Sequence, residues 1–89
     1  MNAEKVLRSM MMAARGRGVI YTCDGQPATA DAFTNCIELM RVGVFSRDVE
    51  YNFSLFSLRF PGGGTIEFRD AHKVDTSGFQ AKSIVHDEA

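Results

Sequence analysis

The chain has little of what several common protein classes require. It holds only two cysteines, Cys23 and Cys36, in 89 residues. That allows at most one disulfide and excludes a disulfide-stapled scaffold, so the two read as buried thiols in a reducing compartment. No run approaches the ~20 apolar residues of a membrane-spanning helix, and the N-terminus lacks the basic-then-apolar pattern of a secretory signal. Neither sign of charge dominates. Ten Lys and Arg against eleven Asp and Glu leave a net charge of -1, which excludes nucleic-acid binding driven by bulk positive charge and leaves room only for a local patch. There is no internal repeat, no low-complexity tract and no interdomain linker. The phosphate-binding pattern Gly-x-x-x-x-Gly-Lys-Ser/Thr is also absent from the sequence.

What remains is an ordinary globular composition, 45% hydrophobic and 24% charged, in a chain long enough for one domain with a small core. Residues 2–15 are rich in helix formers. Ala3, Val6, Leu7, Met10, Met11 and Ala14 recur at spacings of three and four and predict one apolar face, with Arg8, Ser9 and Arg15 elsewhere around the helix. The Met10-Met11-Met12 run reads as core packing by a flexible side chain. Gly16 suits the position just past the helix end. Residues 18–23, with Val19-Ile20-Tyr21-Thr22-Cys23, form a β-branched, near-continuous apolar run. Such a run predicts a strand buried on both faces, with helices above and below. Asp24-Gly25-Gln26-Pro27 reads as a turn, after which Thr29 or Asp31 caps a helix over residues 30–42. Its stripe is Phe33, Cys36, Ile37, Met40 and Val44, and Gly43 marks its end.

The period then changes. Residues 52–69 read as a hairpin: an aromatic-rich strand through Phe60, a turn at Pro61-Gly62-Gly63-Gly64, and a strictly alternating strand, Thr65-Ile66-Glu67-Phe68-Arg69. Residues 70–80 are polar and turn-forming and read as loop. Residues 82–86 open as a strand that ends in Asp87-Glu88. The predicted fold class is α/β, two helices on a small mixed sheet with a β-hairpin. The 18–23 and 82–86 strands are expected to be parallel.

The adjacent acids carry the chemistry. In open α/β sheets ligands bind beyond the carboxyl ends of the strands. An acid there can help hold Mg²⁺ through water, and a second can orient water for in-line attack at phosphorus. Leu58-Arg59-Phe60-Pro61-Gly62-Gly63-Gly64-Thr65-Ile66-Glu67-Phe68-Arg69, the loop Asp75-Thr76-Ser77-Gly78-Phe79, and Ser83-Ile84-Val85-His86-Asp87-Glu88-Ala89 together resemble the ATPase core of bacteriophage large terminase subunits, the DNA-packaging motors. The last stretch looks like their Walker B motif, and the likeness is clearest over residues 58–89.

The resemblance implies a partial P-loop NTPase-like layer in which Asp87 is the Mg²⁺-associated acid and Glu88 the catalytic carboxylate. Mg-ATP is the implied cofactor. The implied partners are the rest of the ATPase and nuclease polypeptide, the small terminase, the portal and double-stranded DNA, in the host cytoplasm and with no membrane. Three departures stand beside it. His86 occupies a usually apolar place, either half-exposed at the strand end or tolerated there. Ser77-Gly78 replaces Arg-Gly. The phosphate loop is missing, so the expectation is a segment of a larger motor, inactive alone, whose opening helix would follow that loop. It would be a truncated or split reading frame or a remnant, or it would lend Asp87 and Glu88 to another chain. The alternative is a free-standing α/β accessory or protein-interaction module without catalysis.

Other residues carry less. His72 and His86 with Cys23 and Cys36 lack the paired spacing of a zinc site. Both cysteines sit in apolar patterns that leave thiols inert. Arg15 and Arg17 read as a solvated helix terminus. Phe53, Phe56, Phe60 and Phe68 read as hairpin core in preference to a base-stacking surface.

Overall fold

The computed structural model describes residues 3–42, 48–72 and 83–87. Their elements are α1 (Ala3–Ala14), β1 (Gly18–Cys23), α2 (Gln26–Val42), β2 (Glu50–Asn52), β3 (Ser57–Arg59), β4 (Thr65–Asp70) and β5 (Ser83–His86). The five strands make one sheet in the order β2-β3-β4-β1-β5. β1 pairs in parallel with both β4 and β5, whereas β2, β3 and β4 form an antiparallel meander. The protein is thus a small α/β fold with two helices and a mixed sheet.

α1 ends as its glycine predicts. Gly16 takes a φ of 95°, its N–H reaches the Ala13 carbonyl, and the Arg17 N–H reaches Met12. This is the paired closure of a helix by a left-handed residue. The buried face, however, is rotated from the expected one. Val6, Ser9, Met10 and Ala13 are buried, while Leu7 and Met11 are exposed. Both sets satisfy helical spacing, and close approach to the sheet decided between them. Ser9 is small and satisfies its hydroxyl on the Lys5 carbonyl. At the far end Ala13 lies directly over Gly64, where a Cβ would collide with the Ala13 carbonyl.

α2 begins four residues earlier than the pattern suggested. Gly25, at φ 96°, supplies the first accepting carbonyl, and the Thr29 N–H and hydroxyl both donate to it. Gln26-Pro27 therefore belongs to the helix, because proline needs no N–H partner in a first turn. Thr29 is a buried first-turn residue and not the cap, and Asp31 is exposed within the helix. Ala32, Phe33, Cys36 and Met40 face the core, with Ile37 packed at its margin. Gly43 and Val44 lie outside the described residues.

The 52–60 stretch is not one strand. Asn52 closes β2 by accepting the Ser54 and Leu55 N–H groups on its side chain, the short-range bond that makes asparagine a turn former. Phe56 follows at φ 49°, and β3 starts at Ser57. The glycine turn between β3 and β4 is as expected, with Gly63 at φ 91°. Asp70 ends β4 instead of opening a loop.

Val19, Tyr21 and Cys23 of β1 share a cluster with Ile66 and Phe68 of β4, Val6 and Met10 of α1, and Phe33 and Cys36 of α2. Side chains alternate along a strand, so among the described residues both helices cover one face of the sheet, and not one face each. On the other face Ile20 and Thr22 are buried between Glu67 and Arg69 of β4 and Ile84 and His86 of β5. β5 is an edge strand, with Ser83 and Val85 half-buried and Ile84 48% exposed.

Candidate functional site at the carboxyl end of the sheet

Asp87 continues β5, its N–H donating to the Thr22 carbonyl at 2.8 Å. By alternation it shares the helix-covered face with Ser83 and Val85, and it is only 4% exposed. A buried carboxylate needs donors. Tyr21 of the central strand supplies one, its hydroxyl standing 2.8 Å from Asp87 Oδ1. The Tyr21 ring is held in turn against Phe68 at 5.3 Å.

The start of α1 meets the same end of the sheet. Lys5 Nζ donates to the His86 carbonyl at 2.8 Å, while Ala13 rests on Gly64 at the opposite edge. α1 therefore runs antiparallel to β1, β4 and β5, with its N-terminal turns beside Asp87. Cys23 feels that acid too. Its thiol is pushed up to about 11, first by burial and then by the Asp87 charge.

His86 points to the other face. Its Nδ1 lies 2.9 Å from the Thr22 hydroxyl and its Nε2 3.9 Å from Asp24 Oδ1. It is half exposed at the strand end, the first of the two placements the sequence allowed.

A second feature lies at the end of β4. Asp70 Oδ1 accepts the Gly25 N–H at 3.3 Å and the His72 N–H at 3.0 Å. A carboxylate here complements the positive end of α2 and fills the place an external anion would take. Beside it an open cleft of about 180 Å³ is lined by Gln26, Leu55, Phe56, Phe68, Arg69 and Asp70. Small-molecule sites run roughly 300–1,000 Å³, so the cleft is too small for a nucleotide, and Asp87 does not line it.

Glu88 and the 75–79 loop lie outside the described residues. Among the described residues no group of three or more His, Cys, Asp or Glu side chains is placed to hold a metal ion. Among the described residues Asp87 has no phosphate cradle beside it, and this set does not by itself make a site for Mg-ATP. Cys36 is buried and pushed up to about 12 by burial. Arg15 and Arg17 are exposed past α1. Phe60 and Phe68 are core and Phe56 packs against it, but Phe53 is 67% exposed and contradicts the reading of all four as core. Two residues of this end escaped the sequence reading. Tyr21 reads locally as one more apolar strand residue, and Asp70 as the start of a polar loop although it closes the alternating run from Thr65.

No protein-family model, curated protein or solved structure matches the chain.

Proposed function

We propose that the chain is the acid-bearing segment of a terminase-type ATPase core, unable to hydrolyse ATP alone. In this reading Asp87 is the Mg²⁺-associated acid and Glu88 the carboxylate that polarises water. The phosphate cradle comes from another stretch of polypeptide. One observation carries it: Asp87, at the end of a strand parallel to the central one, sits beside the N-terminal turns of α1. A helix start next to a strand-end acid is where a phosphate and its cation can be held together.

The test is calorimetric and kinetic. The isolated chain is expected to show negligible affinity for Mg-ATP, and micromolar binding would overturn the proposal. Mixed with a terminase ATPase polypeptide that keeps its phosphate loop but has lost its own strand-end acids, the chain should restore hydrolysis, and Glu88→Gln should abolish the gain. No recovery counts against the reading. A second reading, a protein-interaction module, draws on the exposed Tyr51, Phe53 and Leu55. It expects no recovery of hydrolysis in that mixture, whether or not Glu88 is intact.

A further inference from the structure

The open cleft of about 180 Å³ at the carboxyl end of β4 brings two opposite charges beside an apolar wall. Arg69 and Asp70, consecutive at the end of the strand, both line it, and Phe56, Phe68 and Leu55 supply the wall. Thr29, another lining residue, is 2% exposed and gives its hydroxyl proton to the Gly25 carbonyl. Its oxygen is thereby an acceptor. Phe56 keeps a φ of 49°, a backbone that a bulky residue rarely adopts and that clusters at ligand clamps and switches.

We propose that this cleft binds a small apolar α-amino acid as its zwitterion, with the ligand carboxylate on Arg69, the ammonium on Asp70 and the side chain against Phe56, Phe68 and Leu55. The charges fit in that sense only. Asp70 already accepts the Gly25 and His72 N–H groups, so the positive start of α2 is answered from within the chain and a ligand anion has to turn to Arg69. Arg69 spends one N–H on the Leu55 carbonyl and one on Glu67, and a guanidinium carries five. A carboxylate has about four lone-pair positions, which lets Asp70 take an ammonium beside its backbone donors. The Arg69 side chain is 32% exposed, and partly buried pairs are screened by salt much less than exposed ones. Size agrees as well. A cavity of about 150 Å³ accepts a benzene ring, and alanine has as many heavy atoms as that ring. Asp87 does not line the cleft, so the proposal stands or falls apart from the ATPase reading.

Titration of the nitrogen-labelled chain with L-alanine and L-valine, followed through its amide shifts, tests this. Saturable shifts are expected at Gln26, Leu55, Phe56 and Asp70. Alaninamide lacks the carboxylate and N-acetylalanine the ammonium, and each should bind roughly tenfold more weakly than alanine. Asp70→Asn keeps an oxygen for the Gly25 and His72 N–H groups and should lose alanine to the same degree, as should Arg69→Gln. Ser54 is exposed on the rim and bonds to Asn52 through its backbone N–H, so Ser54→Trp closes the mouth with the fold kept and should abolish the shifts. Arg59→Gln, exposed on β3 and outside the cleft, should bind as wild type does. The ligand series needs the wild-type chain alone and is decisive even where a variant folds poorly. Absence of saturable shifts at tens of millimolar alanine, alaninamide or N-acetylalanine binding as well as alanine, or full affinity in a folded Asp70→Asn chain would each overturn the proposal.

Discussion

The hydroxyl of Tyr21 and the carboxylate of Asp87 meet at 2.8 Å across the junction of β1 and β5, tying the end of β5 to the central strand. Hydrogen bonds to charged groups contribute about 1.5–3 kcal/mol each. Tyr21→Phe is therefore expected to lower the urea-unfolding free energy by an amount in that range. Asp87→Asn, which keeps an acceptor oxygen, should cost less. Equal stability of Tyr21→Phe and wild type would show that the pair adds nothing.

Gly64 has no Cβ because Ala13 occupies that space. Gly64→Ala forces the helix and the β3–β4 turn apart, and overpacking of this kind costs about 1–3 kcal/mol. Gly62→Ala is the control, since a Cβ there would lie 3.9 Å from the Ala14 carbonyl, an ordinary contact. Thermal melts should show a lowered midpoint for the first substitution and a nearly unchanged one for the second.

The rotation of α1 is tested by two neighbouring methionines. Met10 is fully buried and Met11 is 48% exposed. Met10→Ala is expected to cost about 2–5 kcal/mol, and Met11→Ala to stay within about 0.5 kcal/mol. If the two substitutions proved equal in chemical denaturation, the face read from the structure would be wrong.

Both thiols are pushed up by burial, Cys23 to about 11 and Cys36 to about 12, from the ordinary thiol value of 9.0. Above pH 9 the unfolded state gives up protons that the folded state keeps. Stability is therefore full below that pH and falls as pH rises toward the folded values. Unfolding midpoints of Cys23→Ala should be less pH-dependent across this window than those of wild type. Alkylation by iodoacetamide at pH 8 should be slow in the native protein and fast once it is unfolded, and fast native labelling would contradict the burial.

Much of the element order was legible because it depends on local rules. Gly16 ends α1 and Gly63 turns the hairpin, since few other residues adopt their backbones. Elsewhere a local reading picked the wrong option among several that were equally allowed. Proline at the first turn of α2 looked like a turn residue because it serves equally well in both places. The aromatic run through Phe60 looked continuous because the break depends on one asparagine side chain folding back on Ser54 and Leu55.

The candidate site divides in the same way. Asp87 at the end of β5 was visible as the charge that follows an apolar run. Its surroundings were not, since Tyr21 and Asp87 are 66 residues apart and nothing local reports such a meeting.

Composition and periodicity by themselves determined that this chain makes two amphipathic helices, a buried strand and a glycine-turned hairpin, because helix and strand periods and turn backbones are properties of neighbouring residues. The tertiary structure alone decided that both helices cover the same face, that β1 lies between β4 and β5, and which side of α1 is buried. Those choices depend on how closely two elements can approach, and the contact of Ala13 with Gly64 and the bond of Tyr21 to Asp87 exist only once distant parts of the chain have come together.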